Sequence, residues 1–285
     1  MDTLLRGLSA ATNLRFTYVD VTATAREAEQ RHLAGPVAGQ VLGQALAAVT
    51  LISADLGAAD ERISLQVRAD GPVGGLLVEA AAHGGLRGFT NRKTLDALDG
   101  APEPDPAAAL GDHGQMQVLH SSSTKVLFTS QVQASPASLA TLLARYHNQS
   151  LQTPSAVELR VEAAGDRLGR AVGLTAEKMP DGDTEAFVRV LERFNERAVL
   201  ARLGESRGLA DFAELFTLPD LEVRETRALA FRCDCDEDKI LGVLRTLPRG
   251  ELVEIAESGE PQEVTCHFCG DTYKVAPEEI QTLLG

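Results

Sequence analysis

The sequence has no tryptophan, no cysteine before position 233 and no cluster of lysine and arginine. Nor does any stretch approach the roughly 18–20 uninterrupted apolar residues of a membrane-spanning helix. The opening Met1-Asp2-Thr3-Leu4-Leu5-Arg6 lacks the basic and apolar regions of a secretory signal. A cytoplasmic protein with no membrane partner is the expectation, and the acceptor-like tripeptide Asn148-Gln149-Ser150 then carries no meaning. Residues 1–178 hold 18 acidic and 15 basic side chains, whereas residues 179–285 hold 23 and 12, so the second stretch is far the more acidic. Phosphate recognition needs clustered bases, so no nucleic-acid partner is expected. A P-loop, a GxSxG elbow, an HExxH pair and recognisably spaced carboxylates are also missing. No catalytic residue and no cofactor-binding loop is therefore assigned, and the chain reads as a non-enzyme.

What is present is an ordinary globular composition, 44% hydrophobic and 24% charged. Its 285 residues suit one sizeable core and a second, smaller unit. Leu14 to Val21 reads as a strand. Residues 37–56 recur at helical spacing with alanine and glycine between the larger apolar residues, which predicts a buried helix. Ile63, Leu65 and Val67 alternate until Asp70-Gly71-Pro72 breaks the strand, and Leu76–Ala81 and Leu86–Thr90 follow around Gly84-Gly85. Residues 99–114 read as a loop, then strands are expected around Met116–Leu119 and Lys125–Val132, and a helix over Ser138–Gln149. Val157–Val161 and Ala171–Leu174 can pair across Gly165-Asp166. Strands with a few helices and no regular strand–helix repeat indicate an α+β fold of mixed strands and buried helices.

From Pro180 the pattern changes. Phe187, Val190, Leu191 and Phe194 share one face of a helix starting near Asp183, and apolar residues continue to Phe216 between glycines. Four of the nine phenylalanines lie between positions 187 and 216, so this stretch has a face to bury. On these residues alone it is either a fixed part of the core or a detachable linker.

All four cysteines fall in the last 53 residues, as Cys233-Asp234-Cys235 and, thirty residues on, Cys266-His267-Phe268-Cys269. In a reducing compartment such pairs point to a metal or to thiol chemistry before structural disulfides. Zinc takes four soft ligands in a tetrahedron, and two short-spaced pairs supply them. Glu263–Thr265 and Asp271–Val275 flank the second pair as strands, with Gly270 at the reversal, as in a zinc knuckle whose amides point at the sulfurs. Asp236–Asp238 start a helix through Ile240 and Leu244, which Pro248 is expected to end. A thioredoxin-like Cys-x-x-Cys opens a helix after a strand instead. His267 is a spare ligand beside a full set, and His32, His83, His113, His120 and His147 are scattered.

A domain of this size buries little apolar surface, and structural zinc supplies about 10–16 kcal/mol of apparent folding free energy. Sulfurs around tetrahedral zinc lie about 3.8 Å apart, whereas a disulfide needs about 2.05 Å. Ligation and oxidation thus exclude each other. Four thiolates beside Asp234, Asp236, Glu237 and Asp238 make an electron-rich cluster open to oxidants, although an inert structural site has the same spacing.

Phe231-Arg232-Cys233-Asp234-Cys235, Leu244-Arg245-Thr246-Leu247-Pro248 and Cys266-His267-Phe268-Cys269-Gly270 followed by Tyr273 resemble the zinc domain of the heat-shock protein 33 family of redox-regulated chaperones. Ala69-Asp70-Gly71-Pro72, Leu86-Arg87-Gly88 and Met179-Pro180 extend the likeness over nearly the whole chain. There are departures: Leu151 stands in place of a glutamate in Tyr146–Pro154, and Glu177 where a glutamine is common. The resemblance implies an ATP-independent holdase, inactive when reduced with one Zn²⁺ per chain on Cys233, Cys235, Cys266 and Cys269. On oxidation it implies disulfides Cys233–Cys235 and Cys266–Cys269, zinc release, unfolding of the C-terminal domain, homodimers and capture of unfolding client proteins. The implied division is a core domain over residues 1–179, an amphipathic helical linker over 180–232 and a redox-switch zinc domain over 233–285. A zinc-ribbon nucleic-acid binder and a thiol-disulfide oxidoreductase are the competing readings.

Overall fold

A computed structural model describes residues 1–101, 106–135 and 137–284. The chain divides into a larger unit, Met1–Phe231, and a smaller one, Arg232–Gly285.

The larger unit begins with β1 (Thr3–Ser9), β2 (Leu14–Asp20), α1 (Thr22–His32) and α2 (Pro36–Ile52). Then follow β3 (Arg62–Ala69), β4 (Gly75–Ala81), β5 (Gly85–Thr90), the short turns α3 (Asp96–Asp99) and α4 (Pro106–Leu110), β6 (Gly114–Ser121) and β7 (Val126–Ala134). After α5 (Leu139–Arg145) come β8 (Ser155–Ala164), β9 (Arg167–Lys178), α6 (Thr184–Asn195), α7 (Ala198–Glu205), α8 (Ala210–Ala213), β10 (Leu221–Ala228) and β11 (Ala230–Phe231). One sheet has the order β10-β1-β2-β9-β8, the other β11-β5-β4-β3-β6-β7. Among the described residues only the short β11 pairs in parallel, with β5. The expected α+β class is what the chain adopts.

Helix α2 touches strands of both sheets. Of its 17 residues 15 are buried, as an all-round apolar helix requires. The span Pro36–Asp55 is long and apolar enough to cross a membrane, but 94% of its apolar window is buried inside the protein. Small residues let it approach: a Cβ at Gly43 would stand 2.5 Å from Leu168, and one at Gly173 of β9 would stand 3.0 Å from Leu51.

At β2 and β9 the five-stranded sheet is buried on both faces. Val19 and Ala171 belong to the cluster around α2, while Leu14, Phe16, Tyr18, Val172, Leu174 and Ala176 face a second cluster. That outer cluster is completed by Phe187 and Val190 of α6, Val199 and Leu203 of α7, and Phe212, Phe216 and Leu218. Phe16 stacks on Phe216 at 5.2 Å between ring centroids, and Tyr18 meets Phe212 at 6.2 Å. The four phenylalanines of 187–216 all join this layer. Asp183 caps α6 by accepting from the Ala186 amide at 3.0 Å. The stretch from Pro180 thus lies within the larger unit, and it ends in β10, which pairs with β1 along its length.

Two local expectations change. The helix predicted over Ser138–Gln149 is α-helical only to Arg145, then widens into one π-turn over Tyr146–Ser150. The loop predicted over 99–114 holds α4, and its residues 102–105 lie outside the described residues. The departures from the resemblance find local explanations. Leu151 is 37% exposed, and Glu177 is buried between Arg15, whose Nε is 2.8 Å from Oε2, and His147, whose Nδ1 is 3.3 Å from Oε1. Burial alone would raise the Glu177 pKa, but the contacts with His147 and Arg15 outweigh it and hold the carboxyl at about 2.

The smaller unit contains α9 (Glu237–Leu244), α10 (Arg249–Glu257), the antiparallel hairpin β12 (Gln262–Thr265) and β13 (Thr272–Val275), and α11 (Pro277–Leu284). Asp236 caps α9 through the Lys239 amide at 2.8 Å. Pro248 does not end α9, which stops at Leu244; it stands at the N-cap of α10. Its fixed φ suits a helix entry, and its ring disfavours a helical residue before it. The buried core is Ile240, Leu244, Leu252, Ala256, Val275 and Ile280.

Candidate metal centre

Cys233 and Cys235 lie on the segment that leads into the α9 cap at Asp236, where Lys239 reaches the Asp234 carbonyl and Tyr273 donates to the Cys235 carbonyl. Cys266 and Cys269 lie in the turn joining β12 to β13. The pairing of Thr265 with Thr272 closes that hairpin, the Cys266 amide donates to Asp271 O at 2.9 Å, and the Gly270 amide donates to Cys266 O at 2.8 Å. Gly270 adopts φ +78°, which a side chain would strain. The Asp271 amide bonds to the Cys269 sulfur, as the zinc-knuckle pattern predicts.

These local structures bring four sulfurs together. Cys233 and Cys266 Sγ are 3.8 Å apart, Cys235 and Cys269 Sγ are 3.3 Å apart, and all four lie within 4.8 Å of one another. Tetrahedral zinc would space them about 3.8 Å apart. The donor set fits such an ion in number, softness and spacing. Its electrostatics fit as well: burial pushes the Cys269 thiol up, and the neighbouring sulfurs push it further, so the cluster disfavours negative charge unless a cation accompanies it. Among the described residues, the four cysteines form a potential metal group without His267 or any other histidine.

Two sulfur contacts run across the Cys pairs, Cys233 to Cys266 and Cys235 to Cys269, and Cys269 also meets Cys266 within its own pair. One contact at the site is not marked by the spacing of the cysteines: the Tyr273 hydroxyl lies 3.1 Å from Cys235 Sγ and 3.1 Å from Cys235 O. The bond to Cys235 raises the pKa of the phenol, with burial adding to it, so the oxygen keeps its proton. The available signal was the alternation of β13, which turns Tyr273 and Val275 to the same side. The acids noted beside the first pair are partly balanced, since Lys239 Nζ lies 3.3 Å from Asp236 and also reaches the Asp234 carbonyl.

Fold and site together define a class: an α+β protein of two units whose smaller unit carries four clustered thiols able to hold one soft metal ion. The model of the family described as Hsp33 protein matches residues 2–276, and the chain belongs to that family. A protein of Symbiobacterium thermophilum named 33 kDa chaperonin is 31% identical, covering 98% of this chain and 96% of its own. Another with that name, from Thermus thermophilus, is 32% identical over 100% and 87%. The crystal structure of the 33 kDa chaperonin (heat shock protein 33 homolog) from Thermotoga maritima superposes with a TM-score of 0.86 at 26% identity, covering 99% of this chain and 97% of that one.

Proposed function

We propose that this chain is a redox-regulated, ATP-independent holdase of unfolding proteins, with Cys233, Cys235, Cys266 and Cys269 holding one Zn²⁺ in the reduced, inactive state. The observation that carries the reading is the packing of four sulfurs at ligand spacing in a unit whose apolar core cluster, among the described residues, has six buried members. When bound, zinc supplies a divalent charge that stabilises the thiolates and a cross-link between the hairpin turn and the segment before α9. So small a core depends on that link.

Oxidation by a peroxide withdraws the ligands. A thiolate lone pair attacks the O–O bond, which breaks to give a sulfenic acid and hydroxide; a second thiolate then displaces hydroxide from that sulfur, and solvent protons convert both hydroxides to water. The disulfides assigned on the family resemblance are Cys233–Cys235 and Cys266–Cys269. Because all four sulfurs lie within 4.8 Å of one another, and Cys233 and Cys235 each also meet a sulfur of the other pair, peptide mapping of the oxidised protein is the check on that connectivity.

Loss of the small unit's fold then frees the segment 180–232 from a core domain of residues 1–179. Leu14, Phe16, Tyr18, Val172, Leu174 and Ala176 come into view on a sheet face that can hold apolar segments of clients, and β1 loses its β10 partner. The active form is a cytoplasmic homodimer that binds neither nucleic acid nor membrane and catalyses no reaction. The competing zinc-ribbon nucleic-acid reading lacks a basic face in a stretch with 23 acids and 12 bases. The oxidoreductase reading would require turnover of a disulfide substrate.

The test follows light scattering from a thermally unfolding client with zinc release in parallel, before and after peroxide at mildly raised temperature. Suppressed aggregation only after zinc leaves is expected. Zinc release without any suppression would end the holdase reading.

A further inference from the structure

The second pair of cysteines is held by the β12–β13 hairpin, and the first pair lies more than thirty residues earlier in the chain. One side chain of the hairpin reaches across to the first pair. Tyr273 pairs with Val264 in the hairpin and packs its ring against the small unit's core, which fixes the direction of its hydroxyl. That hydroxyl sits 3.1 Å from both Cys235 Sγ and Cys235 O. It has one proton to give. In the zinc-bound state that the preceding reading assigns, the sulfur is a thiolate and the charged acceptor wins over the neutral carbonyl.

We propose that Tyr273 is a positioning residue that shields Cys235 from electrophiles and so sets how readily the switch fires. An O–H···S bond draws on the sulfur lone pair, which is the pair that must attack the oxidant's O–O bond. While the bond persists, Cys235 is a weaker nucleophile, and the cluster resists weak or brief oxidation. The bond also couples the two arms of the site, since Tyr273 belongs to the hairpin that carries Cys266 and Cys269 and contacts Cys235 of the first pair. Outer-sphere donors of this kind tune metal ligands generally.

The proposal rests on the four-thiolate site and is separable from it. Tyr273→Phe keeps the ring and its packing and deletes only the donor. Both proteins are purified reduced with zinc, and zinc content is measured first. A wild-type chain that binds no zinc would remove the site itself, whatever Tyr273 does. With zinc present, iodoacetamide is added to each protein and the alkylation of each cysteine is followed by peptide mass spectrometry. Cys235 in the Phe variant should react about three- to tenfold faster, the share of a charged hydrogen bond that a partly ordered transition state would feel, and peroxide-driven zinc release should quicken with it. Cobalt substitution gives a second reading. The sulfur-to-cobalt charge-transfer band should move to longer wavelength in the variant at unchanged intensity, because the sulfur has lost its hydrogen bond.

An equal acceleration at all four cysteines would mean that the hydroxyl merely stiffens the unit and would overturn the shielding role. So would an unchanged Cys235 rate, or a Phe variant that no longer retains zinc.

Discussion

The two units are held together by different physics. Unit 1–231 wraps two sheets around a helix whose residues are almost all buried, and covers the outer face of one sheet with a further apolar layer. Unit 232–285 has four short elements of helix and hairpin, a third helix at its end, and six buried core residues. Apolar burial scales with size, so the first unit is stable by packing while the second leans on whatever joins its sulfurs. On the proposed function, a metal that joins them reversibly turns low intrinsic stability into a signal. Within the larger unit the same contrast recurs on a smaller scale: α2 is enclosed, whereas α6 to α8 form a layer with one face to solvent, the lid of the proposed function.

The contrast breaks most visibly at a ligand. Cys266→Ser should lose most zinc affinity, and since site formation contributes about 10–16 kcal/mol to folding, amide exchange across 232–284 should become fast while α2 stays protected. Unchanged zinc affinity would remove the four-thiolate centre. The next largest effect falls on the lid. Phe212 is fully buried against Tyr18 and Phe216, so Phe212→Ala should cost about 3–5 kcal/mol. If the lid is what silences the reduced protein, this variant should suppress client aggregation partially without oxidant; full silence together with a loosened lid would contradict the linker assignment.

Acid sharpens the picture of the larger unit. The Glu177 carboxyl titrates at about 2 in the fold against an ordinary value of 4.5. A depressed carboxylate contributes stability that is fully present above 4.5 and is lost as pH falls towards 2. The contribution is on the order of 3 kcal/mol. Glu177→Gln cannot make it, so the stability gap between wild type and variant, from urea unfolding of the larger unit, should narrow between pH 4.5 and 2. A constant gap would show that the Arg15 and His147 contacts do not set the titration. Smallest of all is the α6 cap: Asp183→Ala should cost about 1 kcal/mol, read as faster amide exchange confined to the first turn of α6. Exchange that spreads to α2 would mean that lid and core are one cooperative unit.

Much of the fold could be read from periodicity. The buried helix, the strands from Leu14 to Leu174 and the phenylalanine-rich layer each follow from spacing, because packing on both faces imposes it. The elements that escaped depend on distant partners. β10 is a largely exposed strand whose partner β1 lies more than 200 residues away, β1 buries only part of its residues between β2 and β10, and α1 has a polar face and mostly small buried residues. The four cysteines were legible because ligand spacing is local within each pair. What joined them to Tyr273 was not, since a hydroxyl's partner is set by hairpin register and leaves no mark in residue order. Glu177 likewise looked like an odd substitution until Arg15 and His147 were found beside it.

The most direct measurement is hydrogen exchange by mass spectrometry on the full chain, reduced with zinc and again after peroxide, with the released zinc counted. Loss of protection throughout 232–284, one zinc per chain in solution, raised exchange in α6 to α8 and an unchanged α2 is the expected result. Zinc released from a small unit that keeps its protection would contradict the dependence of that unit's fold on its four sulfurs.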